Sequence, residues 1–230
     1  MPRPANPTLR ADILETALRL IEEKGVSAVT MREVAGALGY SATALYQHFE
    51  SKEDLLLALK LQAGDLLTAA MEKARQEPTL LAQLQAMGAG YVRFGLENPT
   101  YYRLIFQDIS TAVIPTAEQM PRMRRSWAIM RETLAAWFAE QQIHNINADQ
   151  EANVLWAMVH GLVSLRLANR LECEDPQDMF RLYEFATIRW FTGLLANYGG
   201  RLAEQKSSQA GPQRKKTTNR SPARARRQSS

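Results

Sequence analysis

The sequence predicts an all-α chain of about nine helices. Apolar residues recur along it at the i, i+3, i+4, i+7 spacing of amphipathic helices. Ser, Thr or Asp stands where many of these runs begin, and Gly or Pro where they end. No run shows sustained period-two alternation between turn residues, so strands are not expected. With 230 residues, 46% of them hydrophobic, the chain can bury one large core or two small ones.

The first helix spans LRADILETALRLIEEK and stops at Gly25. The second carries Met31, Val34, Ala35 and Leu38 on one face. Thr30 precedes it and Glu33 follows three residues on, a capping box in which each side chain satisfies the other's backbone donor. Gly39 is free to take positive φ after the helix end. Ser41 reads as the N-cap of a third helix, with Leu45 and Phe49 on its inner face. Ala42, Thr43, Tyr46 and Gln47 form its outer face. Ser51, with Asp54 three residues later, starts a long fourth helix at Lys52 that runs to about Gln76. Pro78-Thr79 begins a fifth, ending near Asn98-Pro99, and YYRLIFQDI forms a short sixth. Pro115 and Pro121 bracket the entry to a seventh, about Met123 to Gln142. An eighth covers about 148–171, and Asp175-Pro176 opens a ninth that ends near Gly199-Gly200.

The second and third helices have a steric logic. Ala35 lets them cross closely, Gly39 makes the turn, and Leu45 pins the third to the core. This is helix-turn-helix geometry, which lays its second helix in a DNA major groove while the first crosses the backbone. The outer face of the third helix suits a groove, being small, polar and flat. Residues 40–49 contain no acid.

The stretch from Leu9 to about Leu59 closely resembles the N-terminal DNA-binding domain of TetR-family transcriptional regulators. The matching pieces are LRADILETALRLIEEKG, the T-x-R-E-V-A segment from Thr30, and LYQHFESKEDLL. That family implies about nine helices, three of them in the head, and a long fourth helix joining head to body. In the body, NPTYYRLIFQD followed by LWAMVHGLVSLRLANRL resembles a C-terminal ligand-binding and dimerisation domain with a Trp-His-Gly pattern. Here those residues are Trp156, His160 and Gly161, in a match over roughly 98–195. Trp156 and His160 are four apart and share a helix face. Gly161 in a helix interior costs about 1 kcal/mol against alanine, which a close helix approach within the subunit or across a dimer would justify. The expected organisation is a flexible N-terminus (1–7), a DNA-binding domain (8–57), a ligand-binding and dimerisation domain (58–200) and a disordered basic tail (201–230).

The resemblance and the side-chain chemistry together assign roles. Thr30 sits at a helix N-terminus, where its hydroxyl and the free amides can meet a phosphate. Tyr46 and His48 match positions that in the family contact backbone or base edges, and Lys52 matches a phosphate-contacting lysine. Ser41, Thr43 and Gln47 can reach base edges, and Ala42 or Ala44 a thymine methyl. The outer face lacks arginine, so the commonest guanine contact is missing from it. Gln47 to adenine, van der Waals contacts, or Arg32 on the second helix are the alternatives.

Charge is unevenly spread. Residues 201–230 hold nine Lys or Arg and one acid, Glu204, a net of +8. The other 200 residues carry 19 basic and 23 acidic residues, a net of −4, so the overall +4 comes from the tail. The tail is rich in Ser, Pro, Gln and Arg with almost nothing to bury, and reads as disordered. It is either inert or a sequence-independent attraction to phosphate through counterion release.

Several function classes are excluded. Cys173 is the only cysteine, so no intramolecular disulfide forms and a reducing cytoplasm is the expected compartment. The start MPRPANPTLRAD has no apolar core for a signal peptide, and no run of about 18 uncharged apolar residues suggests a membrane span. His48, His144, His160 and one cysteine give no metal-ligand spacing, and no nucleophile with a matched base and orienting acid is present. No enzyme activity, metal or cofactor is expected.

Aromatic and methionine side chains concentrate in the body, where helical spacing makes them core. The resemblance also implies a pocket enclosed by the fourth to eighth helices, with Tyr91, Phe94, Tyr102, Phe106, Trp127, Met130, Trp156 and His160 as candidate lining. Such a lining favours an apolar or amphipathic effector. His160 has two open readings, a buried histidine bonded to a neighbouring helix or a polar anchor for a ligand.

The last two long helices are apolar on more than one face. Leu155, Val159, Leu162, Val163 and Leu167 lie on the first, and Leu182, Phe185, Ile188, Trp190, Phe191 and Leu195 on the second. A homodimer through a four-helix bundle is expected, with recognition helices about 34 Å apart on a palindromic operator of double-stranded DNA. The expected function is a dimeric repressor released by a small-molecule effector. The alternatives are a ligand-dependent activator and a non-specific architectural binder driven by the tail.

Overall fold

The computed structural model describes residues 8–107, 115–173 and 175–209, which form ten helices with no strand among them. Residues up to Trp190 belong to one compact unit and those from Phe191 to a second. In the first unit, α1 (Leu9–Lys24), α2 (Met31–Leu38) and α3 (Ala42–Tyr46) form the head. Their apolar faces meet at Ile13, Ala17, Val34, Leu45 and Phe49, each at most 1% exposed. Burying such side chains contributes about 1.5–3 kcal/mol each, which lets a five-residue α3 hold its place.

Helix α4 (Lys52–Ala74) packs against α1 in the head. In the body it packs against α5 (Leu80–Glu97), α6 (Pro99–Phe106), α7 (Met120–Met123) and α8 (Arg125–Glu140). The central body helix is α5, which touches α4, α6, α8 and α9 (Ala148–Leu167). Side-chain caps start three of these elements, α4, α5 and α9. Ser51 accepts from the Asp54 amide at 3.1 Å, Thr79 from Ala82 at 3.2 Å, and Asn147 from Asp149 and Gln150 at 3.1 Å.

Where α5 is crossed closely, glycine makes room. A Cβ on Gly95 would lie 2.3 Å from Val163 of α9, and one on Gly88 would lie 2.2 Å from the Tyr183 hydroxyl. Gly161, the glycine expected to allow close approach, has nothing within 4 Å of a would-be Cβ, so no intrasubunit contact explains it. The residues with close neighbours sit on the other helix of the pair.

Two elements differ from expectation. The single helix expected from about Met123 to Gln142 is two pieces, because the chain breaks at Arg124 (φ −93°, ψ 0°) after the short turn that Pro121 opens; the count is therefore ten. The last helix, α10 (Pro176–Gln209), does not stop at Gly199-Gly200. Leu202, Ala203, Glu204 and Gln205 are good helix formers and carry it into the stretch expected to be disordered. The expectations for residues 1–7, 108–109 and 210–230 fall outside the described residues. Among those described, no helix is long and apolar enough to cross a membrane.

Candidate nucleic-acid interface and effector site

The head presents α3 through a chain of local bonds. Thr30 caps α2, its hydroxyl oxygen accepting from the Glu33 amide at 3.2 Å while Glu33 accepts from the Thr30 amide at 3.0 Å. Burial alone would raise the Glu33 pKa, but the Thr30 bonds and the Lys24 ammonium hold it below its ordinary value. Gly39 takes φ +69°, and the Tyr40 amide reaches back to the Ala35 carbonyl at 2.9 Å, closing α2. Ser41 then caps α3 through the Ala44 amide at 3.3 Å.

This places the sequence-assigned residues on one region. Leu45 is fully buried, while Ser41, Thr43, Tyr46 and Gln47 are exposed and Ala42, Ala44 and His48 half-buried. Tyr46 is 52% exposed, high for a side chain of its size. Arg32 is exposed on the first turn of α2.

Two of the assigned side chains hold intramolecular partners. The Thr30 hydroxyl, expected to meet a phosphate, also donates to Glu33 at 3.2 Å and is occupied by its own cap. The Lys52 ammonium, expected on a phosphate, donates to the carbonyls of Val26 at 2.8 Å and Ser27 at 3.4 Å. It therefore ties the start of α4 to the α1–α2 loop. Neither bond was visible in sequence, since the lysine and its acceptors are 26 and 25 residues apart.

In the body, five of the eight candidate lining residues come together. The hydroxyls of Tyr91 on α5 and Tyr102 on α6 lie 2.9 and 2.8 Å from Nδ1 of His160 on α9. The Tyr102 hydroxyl also has the His160 carbonyl at 3.1 Å, so both phenolic protons have an acceptor. Burial pushes both phenols up, Tyr102 to about 12, and holds His160 below its ordinary value. The phenols stay protonated, and Nδ1 of His160 lies within hydrogen-bond reach of both hydroxyls. Phe106 and Trp156 close the cluster at 5.1 and 5.6 Å from the His160 ring.

Ring separations of 5.0–6.5 Å are contact distances, so these side chains pack directly on one another. Phe94, buried on α5, and Trp127 and Met130, half-buried on α8, make none of these ring contacts. Two cavities are described elsewhere. One is an open depression of about 520 Å³ beside Arg131 and residues 144–149. The other is a crevice of about 250 Å³ between the end of α1 and α6, lined by Ile21, Glu22, Gly25, Thr100 and Arg103 among others. Sequence periodicity carried no signal for that crevice. The described residues hold no cluster of three or more His, Cys, Asp or Glu suited to a metal ion.

Residues 13–59 match the family described as bacterial regulatory proteins, tetR family, and residues 84–187 match the Tetracyclin repressor-like C-terminal domain. The chain is 33% identical over 100 residues to the HTH-type transcriptional activator FasR of Mycolicibacterium smegmatis, covering 43% of this chain and 46% of that one. It is 38% identical over 60 residues to the HTH-type transcriptional repressor KstR2 of Rhodococcus jostii, covering 24% and 29%. It thus aligns with less than half the length of these curated relatives. The crystal structure of the TetR family transcriptional regulator PfmR from Thermus thermophilus superposes with a TM-score of 0.60 at 26% identity, covering 75% of this chain and 94% of that one.

Proposed function

We propose, from the premise that this chain belongs to the TetR family of bacterial regulatory proteins with a DNA-binding helix-turn-helix, that it is a dimeric, effector-responsive transcriptional repressor. The observation that carries the reading is the α3 surface. An acid-free face of Ser41, Thr43, Tyr46 and Gln47 stands outside a core that fixes Leu45. Gln47 would read adenine, and Ala42 or Ala44 a thymine methyl, in the major groove.

A partner copy is supported by apolar residues left outside. Val154 and Leu165 on α9 are 47% and 46% exposed, and Phe185 and Ile188 on α10 are 56% and 55% exposed. Gly161 lies between the two α9 residues with open space above it, room for a partner helix. An isologous dimer would set two α3 helices about 34 Å apart on a near-palindromic operator. Gly161→Leu should then shift the dimer toward monomer in sedimentation without loss of helicity.

The effector would act at the aromatic cluster. Helix α6 carries Tyr102 and Phe106 against His160, and Thr100 and Arg103 against the end of α1. A small apolar or amphipathic molecule that parts these rings would move α6, and with it α1 and α4. Linkage limits its effect on DNA affinity to its preference for the non-binding state, typically about 1–3 kcal/mol.

Fluorescence anisotropy at about 150 mM salt, where weak surface attraction is screened, tests the reading. The probes are DNA upstream of the protein's own gene and a shuffled duplex, with the full chain and a truncation after Gln209. Preference for the upstream DNA that survives truncation supports it. Binding that ignores sequence and disappears with the tail makes the chain an architectural binder. Since FasR is a named activator, a promoter fusion in a deletion strain supplies the sign of control: expression should rise when the gene is lost.

A further inference from the structure

We infer that Arg10 is a DNA-backbone contact, gripping a phosphate beside the exit of the recognition helix. The inference rests on the DNA-binding reading above and adds a residue that no motif assigned. It begins with the head's cations. Residues 8–57 contain Arg10, Arg19, Lys24, Arg32 and Lys52. Arg19 pairs with Glu23 at 2.7 Å, Lys24 with Glu33 at 3.5 Å, and Lys52 with the Val26 and Ser27 carbonyls. Among the described residues, Arg10 and Arg32 are the two head cations in no ion pair or side-chain hydrogen bond.

Sequence explains why Arg10 lacks a partner. The positions three and four further along α1 are Ile13 and Leu14, neither of them acidic, and the nearby Asp12 carboxylate accepts from the Thr8 hydroxyl at 3.1 Å. What holds the side chain is Phe49. The guanidinium lies 4.8 Å from the ring centroid, and the ring is 1% exposed, so Arg10 is exposed itself yet rests on a buried aromatic plate. A planar cation held this way keeps its donors free for a planar or tetrahedral anion.

Placement supplies the anion. Phe49 follows the last residue of α3 by three positions and adjoins His48, so Arg10 sits at the C-terminal flank of the recognition helix. Arg32, in the first turn of α2, lies ahead of α3 in the chain. A major groove is about 12 Å wide and walled by two phosphate strands, so a helix lying in it has backbone on each flank. The unpaired guanidinium of Arg10 stands at the C-terminal flank of α3, where one of those strands would run.

Because a phosphate contact carries no sequence information, the test needs no known operator. Full-length wild type, Arg10→Ala, Arg10→Lys and Arg19→Ala are titrated onto a random-sequence duplex from low to moderate salt. The slope of log affinity against log salt should shrink in Arg10→Ala by about 0.9 for each Arg10 engaged, about 1.8 for a dimer. Arg10→Lys keeps the charge and should keep the slope, and Arg19→Ala should match wild type. Equal slopes for wild type and Arg10→Ala, with wild type binding, overturn the Arg10 assignment alone. Wild type that binds no duplex at any salt overturns the DNA-binding reading together with it. Circular dichroism confirms that each variant is folded.

Discussion

In α3 only Leu45 is buried, and Thr43 and Tyr46 face outwards; in the aromatic cluster Tyr102 is fully buried and Tyr91 only 5% exposed. The first region is built from neighbours in the chain, on one helix of five residues. The second joins three helices, with His160 bonded to tyrosines 69 and 58 residues away. A surface of adjacent side chains can change its partner with little effect on folding. An interior drawn from distant segments ties any change of side chain to the stability of the body.

The largest test of that contrast sets Tyr102→Ala against Gln47→Ala. Removing the buried ring and its bonds to His160 should cost about 3–5 kcal/mol in urea unfolding. Truncating the exposed glutamine should move stability by no more than about 0.5 kcal/mol. Equal losses would erase the distinction. Next comes Gly95→Ala, whose methyl would meet Val163 at 2.3 Å. Overpacking of about 1–3 kcal/mol should outweigh the helix propensity gained, about 1 kcal/mol, and a rise in Tm would show the α5–α9 crossing to be loose.

Within the head the contrast can be sharpened, because its order depends on caps more than on volume. Thr30→Ala removes one half of the α2 capping box and should lower stability by about 1 kcal/mol, seen as a lower Tm with wild-type helicity below the transition. The smallest effect belongs to His160. Burial holds its pKa below the ordinary 6.5, so the unfolded chain takes up the proton more readily. Stability present above about pH 6.5 is then lost as pH falls toward the folded value. Tm measured at pH 7.5, 6 and 5 should fall more steeply for wild type than for His160→Gln.

The legible parts of the molecule are those governed by short range. Thr30 with Glu33, Ser41, Ser51 with Asp54, and Thr79 each mark a helix start by chemistry completed within three residues. Gly39 marks a turn that needs positive φ. The α3 outer face was legible for the same reason. Sequence named the aromatic residues of the cluster, but not that four of them pack onto one imidazole, because a hydrogen bond between residues 91 and 160 leaves no periodic trace. It did not single out Gly88 and Gly95, which make the close crossings within the subunit, while Gly161 makes none there, since a helical glycine looks the same whether its neighbour is protein or open space. Lys52 and Arg10 followed suit: one acquired carbonyl partners from a distant loop, the other an aromatic plate.

Helix α4 has 23 residues without a break, and at 1.5 Å per residue it is a rod about 34 Å long. Leu55 and Leu56 near its first turn are 1–2% exposed, and Met71 near its last is 4% exposed, so both ends are clamped. A rod gripped at both ends acts as a lever, turning small rotations into displacements in proportion to its length. A tilt of about 5° at the Met71 end would swing the Lys52 end by about 3 Å, on the order of one hydrogen-bond length. A displacement of that size breaks any hydrogen bond that depends on where the Lys52 end stands.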